Sequence, residues 1–275
     1  MAANAGGPRA VITGAGSGLG QALALRLARE GWRVAVTDID RGRAETSLSR
    51  VREAGGDGLA EACDVRREAD LRRLAERLRE VWGGVEWLVN NAGVASGGTV
   101  AETPLEDWQW MLDINLMGVV RGCRALLPLV QAEPGAHVIN VASFAGFAGV
   151  PGMAAYNVAK AGVIALSETL RAELAGRGIG VTVACPSFFA TNLLESFRSP
   201  QGGQRGLMAH LMDRSPITAD DIADDIVQAA RKGQFLVISH PRARAALRLK
   251  CRDPEAYFRQ TVRSTRRFVQ PPEEP

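Results

Sequence analysis

The 275-residue sequence is poor in the residues that build metal sites and disulfides: four cysteines and three histidines in all. Cys63, Cys123, Cys185 and Cys251 stand apart with no C-x-x-C spacing, and His137, His210 and His240 do not join them in a ligand pattern. No zinc or other metal site is expected, and the chain reads as a reduced, cytoplasmic protein. No run of 18 or more apolar residues occurs, so no transmembrane segment is expected. The start, Met1 to Pro8, has neither a basic segment nor an apolar core and does not read as a signal peptide. The net charge of +3 is small for this length and gives no reason to expect nucleic-acid binding.

What is present is a regular alternation. Short, β-branched apolar runs are expected as strands at Arg9 to Thr13, Arg33 to Asp38, Gly58 to Val65, Val85 to Asn90, His137 to Ser143, Gly180 to Cys185 and Phe235 to Ser239. Between them lie segments with helical spacing: Leu19 to Glu30, Glu68 to Val81, a long stretch from Pro104 to about Pro128, and Ala154 to Ala175. Near-continuous apolar strands separated by helices predict a single doubly wound α/β (Rossmann) domain, with a mostly parallel seven-stranded sheet covered by helices on both faces. That domain is expected over residues 1–240. Within it, a segment at about 191–216 mixes Ser, Gly and Arg with apolar anchors and suits a substrate lid, with a surface loop carrying small helices as the alternative. Residues 241–275 form a basic C-terminal extension, in which nine Arg or Lys between Arg242 and Arg267 face only Asp253 and Glu255. A solvated terminal helix is the expectation there, with membrane-surface contact as the alternative.

The chain has two tyrosines, and among its 33 basic residues only three lysines; one of each stands four apart, at Tyr156 and Lys160. On a helix these positions share a face, which would bring a phenol beside an ammonium. Such a phenol is a tunable general acid/base. Upstream, Gly14-Ala-Gly-Ser-Gly-Leu-Gly20 joins the first expected strand to the first helix. It fits T-G-x-x-x-G-x-G from Thr13 but fits G-x-G-x-x-G in no register. Glycines there let a pyrophosphate approach the backbone, at a helix N-terminus whose amides favour an anion. Asp38, at the end of the second strand, suits the adenosine ribose hydroxyls and repels a 2′-phosphate, so NAD is preferred to NADP; Arg41 and Arg43 are the opposing signal.

From about Arg9 to Ser239 the ordered motifs resemble the short-chain dehydrogenase/reductase (SDR) family. They are Thr13 to Gly20, Cys63-Asp64-Val65, Asn90-Asn91-Ala92-Gly93, Asn115, Ser143, Tyr156 with Lys160, and Pro186 with Thr191. The resemblance implies a catalytic set of Asn115, Ser143, Tyr156 and Lys160. Tyr156 would exchange the proton with the substrate oxygen and Ser143 would hold that oxygen. Lys160 would bind the nicotinamide ribose and depress the tyrosine pKa, while Asn115 would position a water leading to Lys160. Around NAD it implies Thr13, Gly14, Ser17, Gly18, Leu19 and Gly20 at the phosphates, Asp38 at the ribose, and Asp64 and Val65 at the adenine. Asn91, Ala92 and Gly93 would line the cofactor, with Pro186 and Thr191 at the nicotinamide. The family further implies a homotetramer or homodimer paired through helices near Trp108 to Leu129 and Ala154 to Ala175. Where the family usually has glycine after the proline, this chain has Ser187 and two phenylalanines.

Ser143 and Phe144, with Phe188 across from them, are the expected substrate-pocket residues. Phe147, Val150, Met153 and Phe189 stand nearby, with no basic residue to clamp an acid. A hydrophobic secondary alcohol, or its ketone, is the expected substrate. Two further readings of the motifs are a non-catalytic NAD-binding regulatory or interaction protein, and an epimerase or dehydratase on the same scaffold.

Overall fold

The computed structural model describes residues 6–200 and 203–266. The first residues of the chain (1–5), two residues of the expected lid (201–202) and the end of the basic extension (267–275) lie outside the described residues. Seven strands form one sheet: β1 (Arg9–Thr13), β2 (Arg33–Asp38), β3 (Asp57–Ala62), β4 (Trp87–Asn90), β5 (His137–Val141), β6 (Gly180–Ala184) and β7 (Leu236–Val237). Their order is β3-β2-β1-β4-β5-β6-β7, and every pairing is parallel. β1, β4 and β5 are buried at every position, as a sheet covered on both faces requires.

The helices in chain order are α1 (Gly18–Ala28), α2 (Arg41–Glu53), α3 (Glu68–Trp82), α4 (Leu105–Asn115), α5 (Met117–Leu126), α6 (Ala145–Ala148), α7 (Ala154–Leu174), α8 (Gln204–Asp213), α9 (Ala219–Arg231), α10 (Pro241–Arg252) and α11 (Pro254–Ser264). α1, α2 and α9 bury one apolar face against the sheet, and α3, α5 and α7 bury theirs against the other. The ends of these helices follow their residues. Gly83 closes α3 in the left-handed conformation, and Thr218 with Asp221 forms a reciprocal capping box on α9.

Parallel strands all end on one edge of the sheet, and here that edge carries Thr13, Asp38, Asn90, Val141 and Ala184. The strand order reverses between β1 and β4, which opens a crevice at that edge. Strand β3 ends at Ala62 rather than Val65, β7 is shorter than expected, and α2 and α9 had no counterpart among the expected helices. Two further elements differ from expectation. The long helix after Pro104 is broken at Leu116, directly after Asn115, into α4 and α5. The basic extension forms two helices rather than one, because Pro254 cannot continue α10 and Asp253 instead caps α11 through the amide of Ala256 at 2.9 Å.

Candidate active site

The glycine loop is fixed from below by side chains of β1 and β4. The Thr13 hydroxyl accepts from the amides of Asn91 and Ala92 at 3.0 and 3.1 Å. The Asn91 side-chain amide donates to the carbonyls of Thr13 and Gly14 at 2.9 and 3.0 Å. Gly20 packs so closely that a Cβ would stand 2.3 Å from the Gly14 carbonyl and 2.4 Å from the Asn91 amide. Thr13 and Gly20 therefore shape the loop from behind rather than face the cavity. Gly18 has φ +53 and does line it. Ser17 precedes α1 in extended conformation and makes no side-chain cap bond, so it leaves the first-turn amides free for an anion.

A cleft of about 420 Å³ follows the loop along the sheet edge. Gly14, Ser17, Leu19 and Asp38 line one end; Asp64 and Val65 stand beside them; Asn91, Ala92 and Gly93 form the floor. Tyr156, Lys160, Pro186 and Thr191 line the far end. Asp38 is oriented by two backbone amides, Gly16 at 3.1 Å and Asp40 at 3.0 Å. The two arginines that argued for a 2′-phosphate are each paired with a carboxylate, Arg43 while still lining the cleft. Arg41 pairs with Glu45 at 2.8 Å and Arg43 with Glu195 at 2.7 Å. Asp64 is held below the usual carboxylate range, chiefly by hydrogen bonds from Arg66. The residues present fit a dinucleotide: free amides for phosphates, a carboxylate at the ribose position, and a ring-sized space beyond.

Tyr156 and Lys160 lie on the first turns of α7, where both are buried. The Lys160 ammonium donates to the Val141 carbonyl at 2.9 Å and sits 5.8 Å from the Tyr156 ring centroid. Burial lowers the lysine pKa to about 8. The phenol is raised, first by burial, with a hydrogen bond from Ser143 opposing it and the Cys185 thiol adding to the rise. The depression expected from Lys160 is thus not what the chain's own groups give: desolvation outweighs the Ser143 hydrogen bond, and the lysine charge is not among the causes acting on the phenol. Ser143 reaches the Pro186 carbonyl at 3.3 Å and accepts from the Ala145 amide at 3.2 Å. Asn115 is fully buried, and its side-chain amide is spent on the amide and carbonyl of Val94, both at 2.8 Å. It lies against Gly93, whose missing Cβ would stand 2.8 Å from the Asn115 carbonyl oxygen and 3.5 Å from the lysine nitrogen.

A second cavity, of about 330 Å³, opens on the other side of Tyr156. Ser143, Phe144 and Phe188 line it together with Val150 and Met153, whereas Phe147 turns into the core beneath α7. The lid segment supplies Leu193, Leu194, Phe197, Met208, Leu211 and Met212 to its roof. Among the described residues, no charged side chain lines this cavity.

Three features escaped the sequence analysis. His240 holds the loop that departs from the family pattern: Nδ1 accepts from the Ser187 amide at 3.2 Å, and Nε2 meets the Phe188 carbonyl at 3.0 Å. Arg198 fastens the lid, pairing with Asp107 at 2.9 Å and lying 4.0 Å over the Trp110 ring. The C-terminal helix α11 contributes a wall of the second cavity. Single histidines and arginines carry no periodic signal. Only the isolation of His240 between the apolar run of the last strand and the basic extension could have drawn attention to it.

A cleft that fits a dinucleotide and an apolar pocket lie on either side of Tyr156, at the edge of a Rossmann-like sheet. The sequence matches the short chain dehydrogenase family over residues 8–202. The chain belongs to the short-chain dehydrogenase/reductase family. It is 34% identical over 261 residues to the probable oxidoreductase EphD of Mycobacterium tuberculosis, covering 92% of this chain and 44% of that protein. This chain therefore spans less than half the length of that relative. It is also 31% identical to a CLA biosynthesis dehydrogenase/reductase of Lactiplantibacillus plantarum, covering 84% of this chain and 87% of that one. A short chain dehydrogenase/reductase from Burkholderia phymatum, solved in complex with NAD, superposes with a TM-score of 0.85 at 30% identity and covers 98% of both chains. Among the described residues, no helix is long and apolar enough to cross a membrane, and no group of three His, Cys, Asp or Glu could hold a metal ion.

Proposed function

We propose that the protein interconverts a hydrophobic secondary alcohol and its ketone with NAD as the redox partner. The observation that carries this reading is the position of Tyr156, which lines both the dinucleotide cleft and an uncharged apolar cavity that Ser143 also lines. Oxidation removes a hydride from the carbinol carbon and a proton from its oxygen; reduction returns both. A bound nicotinamide would take or give the hydride and, when oxidised, would place a positive charge near the phenol. Ser143 holds the substrate oxygen, and Tyr156 exchanges its proton with that oxygen. Lys160, fixed on the Val141 carbonyl, holds the nicotinamide ribose and supplies the chain's own positive charge. Asn115 acts as a positioning residue that clamps the Val94 backbone next to Gly93 and Lys160.

Asp38 and the pairing of Arg43 with Glu195 support NAD over NADP, since a 2′-phosphate would meet a carboxylate and no free guanidinium. The apolar pocket supports a lipophilic substrate, because nothing there could pair with a buried charge. Val158 on α7 and Met117 on α5 are exposed apolar residues on the helices through which the family pairs, which supports a homo-oligomer. The test is a panel of aliphatic, cyclic and sugar alcohols with NAD, followed by NADH absorbance. Turnover is expected with the aliphatic and cyclic secondary alcohols. Activity confined to sugars would reject the assigned substrate class.

A further inference from the structure

Helix α11 presents its faces to the molecule in an unusual way. Tyr257, Gln260, Thr261, Ser264 and Thr265 recur at three- and four-residue spacing, so they share one face, and that face lines the apolar cavity. Phe258 and Val262, also four apart, are instead exposed at 61% and 49%. No residue of α11 is buried. An amphipathic helix placed only to seal an apolar cavity would turn Phe258 and Val262 inward. Here Tyr257, Thr261 and Thr265 are half-buried towards the cavity, Gln260 and Ser264 border it while staying exposed, and the two large apolar side chains look out.

The place of α11 is fixed by polar contacts to the end of α6. The Tyr257 hydroxyl donates to the Ala148 carbonyl at 3.0 Å, and Lys250 of α10 donates to the Phe147 carbonyl at 2.5 Å. α6 begins two residues after Ser143. From Phe144 to Ala148 it carries the cavity wall about 6 Å away from the reactive end, at the helical rise per residue. The hydroxyls of Ser264 and Thr265 donate to the Thr261 carbonyl at 3.2 and 2.6 Å, which leaves their oxygens as acceptors. The Thr261 hydroxyl and the Gln260 amide have no side-chain partner among the described residues and can donate.

We propose that this face is a distal recognition subsite. It selects a lipophilic alcohol or ketone that carries a second, uncharged oxygen function several bonds from the reacting carbon. The proposal rests on the alcohol–ketone reading of the same pocket. The lining carries no charged side chain and so offers a carboxylate or phosphate no ion-pairing partner, which favours an uncharged oxygen function. A hydroxyl in the same place can donate to the free oxygens and accept from Thr261 and Gln260, whereas a carbonyl can accept from those two.

The test uses the full chain and two probes: an eight-carbon methyl ketone and the same ketone bearing a terminal hydroxyl. Binding is read by titration calorimetry in the presence of NAD, with which a ketone does not react. Turnover is read separately with NADH. The unmodified protein should bind the hydroxylated ketone more tightly than the plain one. Thr261→Val, which keeps the side-chain shape, should weaken the hydroxylated ketone about five- to tenfold and leave the plain ketone unchanged. Equal affinity of the unmodified protein for both ketones, or a variant that weakens both alike, overturns the subsite. If plain ketones are reduced but the variant does not discriminate, the subsite fails while the functional reading stands. If the binding pattern appears but no ketone consumes NADH, the subsite stands while the reaction assignment fails.

Discussion

The proposed preference for NAD over NADP is assigned chiefly to one carboxylate, Asp38. Its two oxygens are held by the Gly16 and Asp40 amides, so it faces the ribose position without needing to reorganise. Ile39, beside it, is exposed and lines the same cleft. Replacing Asp38 by Ala and Ile39 by Arg removes the repulsion and supplies a guanidinium for a 2′-phosphate. The ratio of kcat/KM for NAD over NADP should fall by about tenfold or more, measured with one alcohol; an unchanged ratio contradicts the assignment. Asp38, Tyr156 and Lys160 were legible because each is a chemically distinctive residue at a position that strand or helix periodicity defines. The full burial of Asn115 and its attachment to Val94 were not legible. A buried amide and a surface amide look alike in sequence, and only the fold shows where its hydrogen bonds go.

At the scale of elements, β5 and β6 are joined by more than their backbone ladder. His137 on β5 meets the Thr182 hydroxyl on β6 at 2.7 Å, and that hydroxyl donates onward to the Gln234 carbonyl at 2.8 Å. In the imidazole, the nitrogen facing Thr182 is therefore the donor. Its other nitrogen lies against Gly180, where a Cβ would stand 2.3 Å away, so a second proton there has no acceptor. Burial accordingly lowers its pKa from 6.5 to about 4. As pH falls, the unfolded chain takes up this proton first. The contribution is complete above pH 6.5, shrinks as pH falls, and is gone below about pH 4. Chemical denaturation at a series of pH values should show a His137-dependent loss approaching about 3 kcal/mol across that window. His137→Gln should flatten that part of the curve; an identical pH slope in the variant would refute the linkage.

The same scale shows where pattern reading ends. The alternation of apolar runs gave all seven strands; β1, β4 and β5 are buried throughout and so continuous in sequence, whereas the edge strand β3 is only half-buried and ends at Ala62 rather than Val65. It gave one helix where α4 and α5 stand, since helical spacing runs unbroken through Leu116. It also gave no direction for α11. Periodicity shows that a helix has unlike faces, but the contacts of Tyr257 and Lys250 with α6 decide which face turns inward.

In the whole molecule, two cavities with different chemistry meet at one buried phenol. The first lies along the sheet edge and combines free amides with carboxylates. The second is walled by α6, the lid segment and α11, and it carries no charge among the described residues. The lid bridges the two, because Glu195 reaches Arg43 over the first while Leu194 and Phe197 roof the second. The alternating sheet and the first cavity were legible in sequence because their residues lie in ordered local motifs. The second cavity draws on residues from Ala95 to Thr265, which no local motif joins. Tyr156 borders both and is the centre of the account. The most direct measurement follows NADH absorbance for the unmodified protein and Tyr156→Phe with the best secondary alcohol, alongside a calorimetric titration of each with NAD. The account predicts that the variant binds NAD as before but turns over at least about a hundredfold more slowly. Turnover retained at the unmodified rate would contradict it.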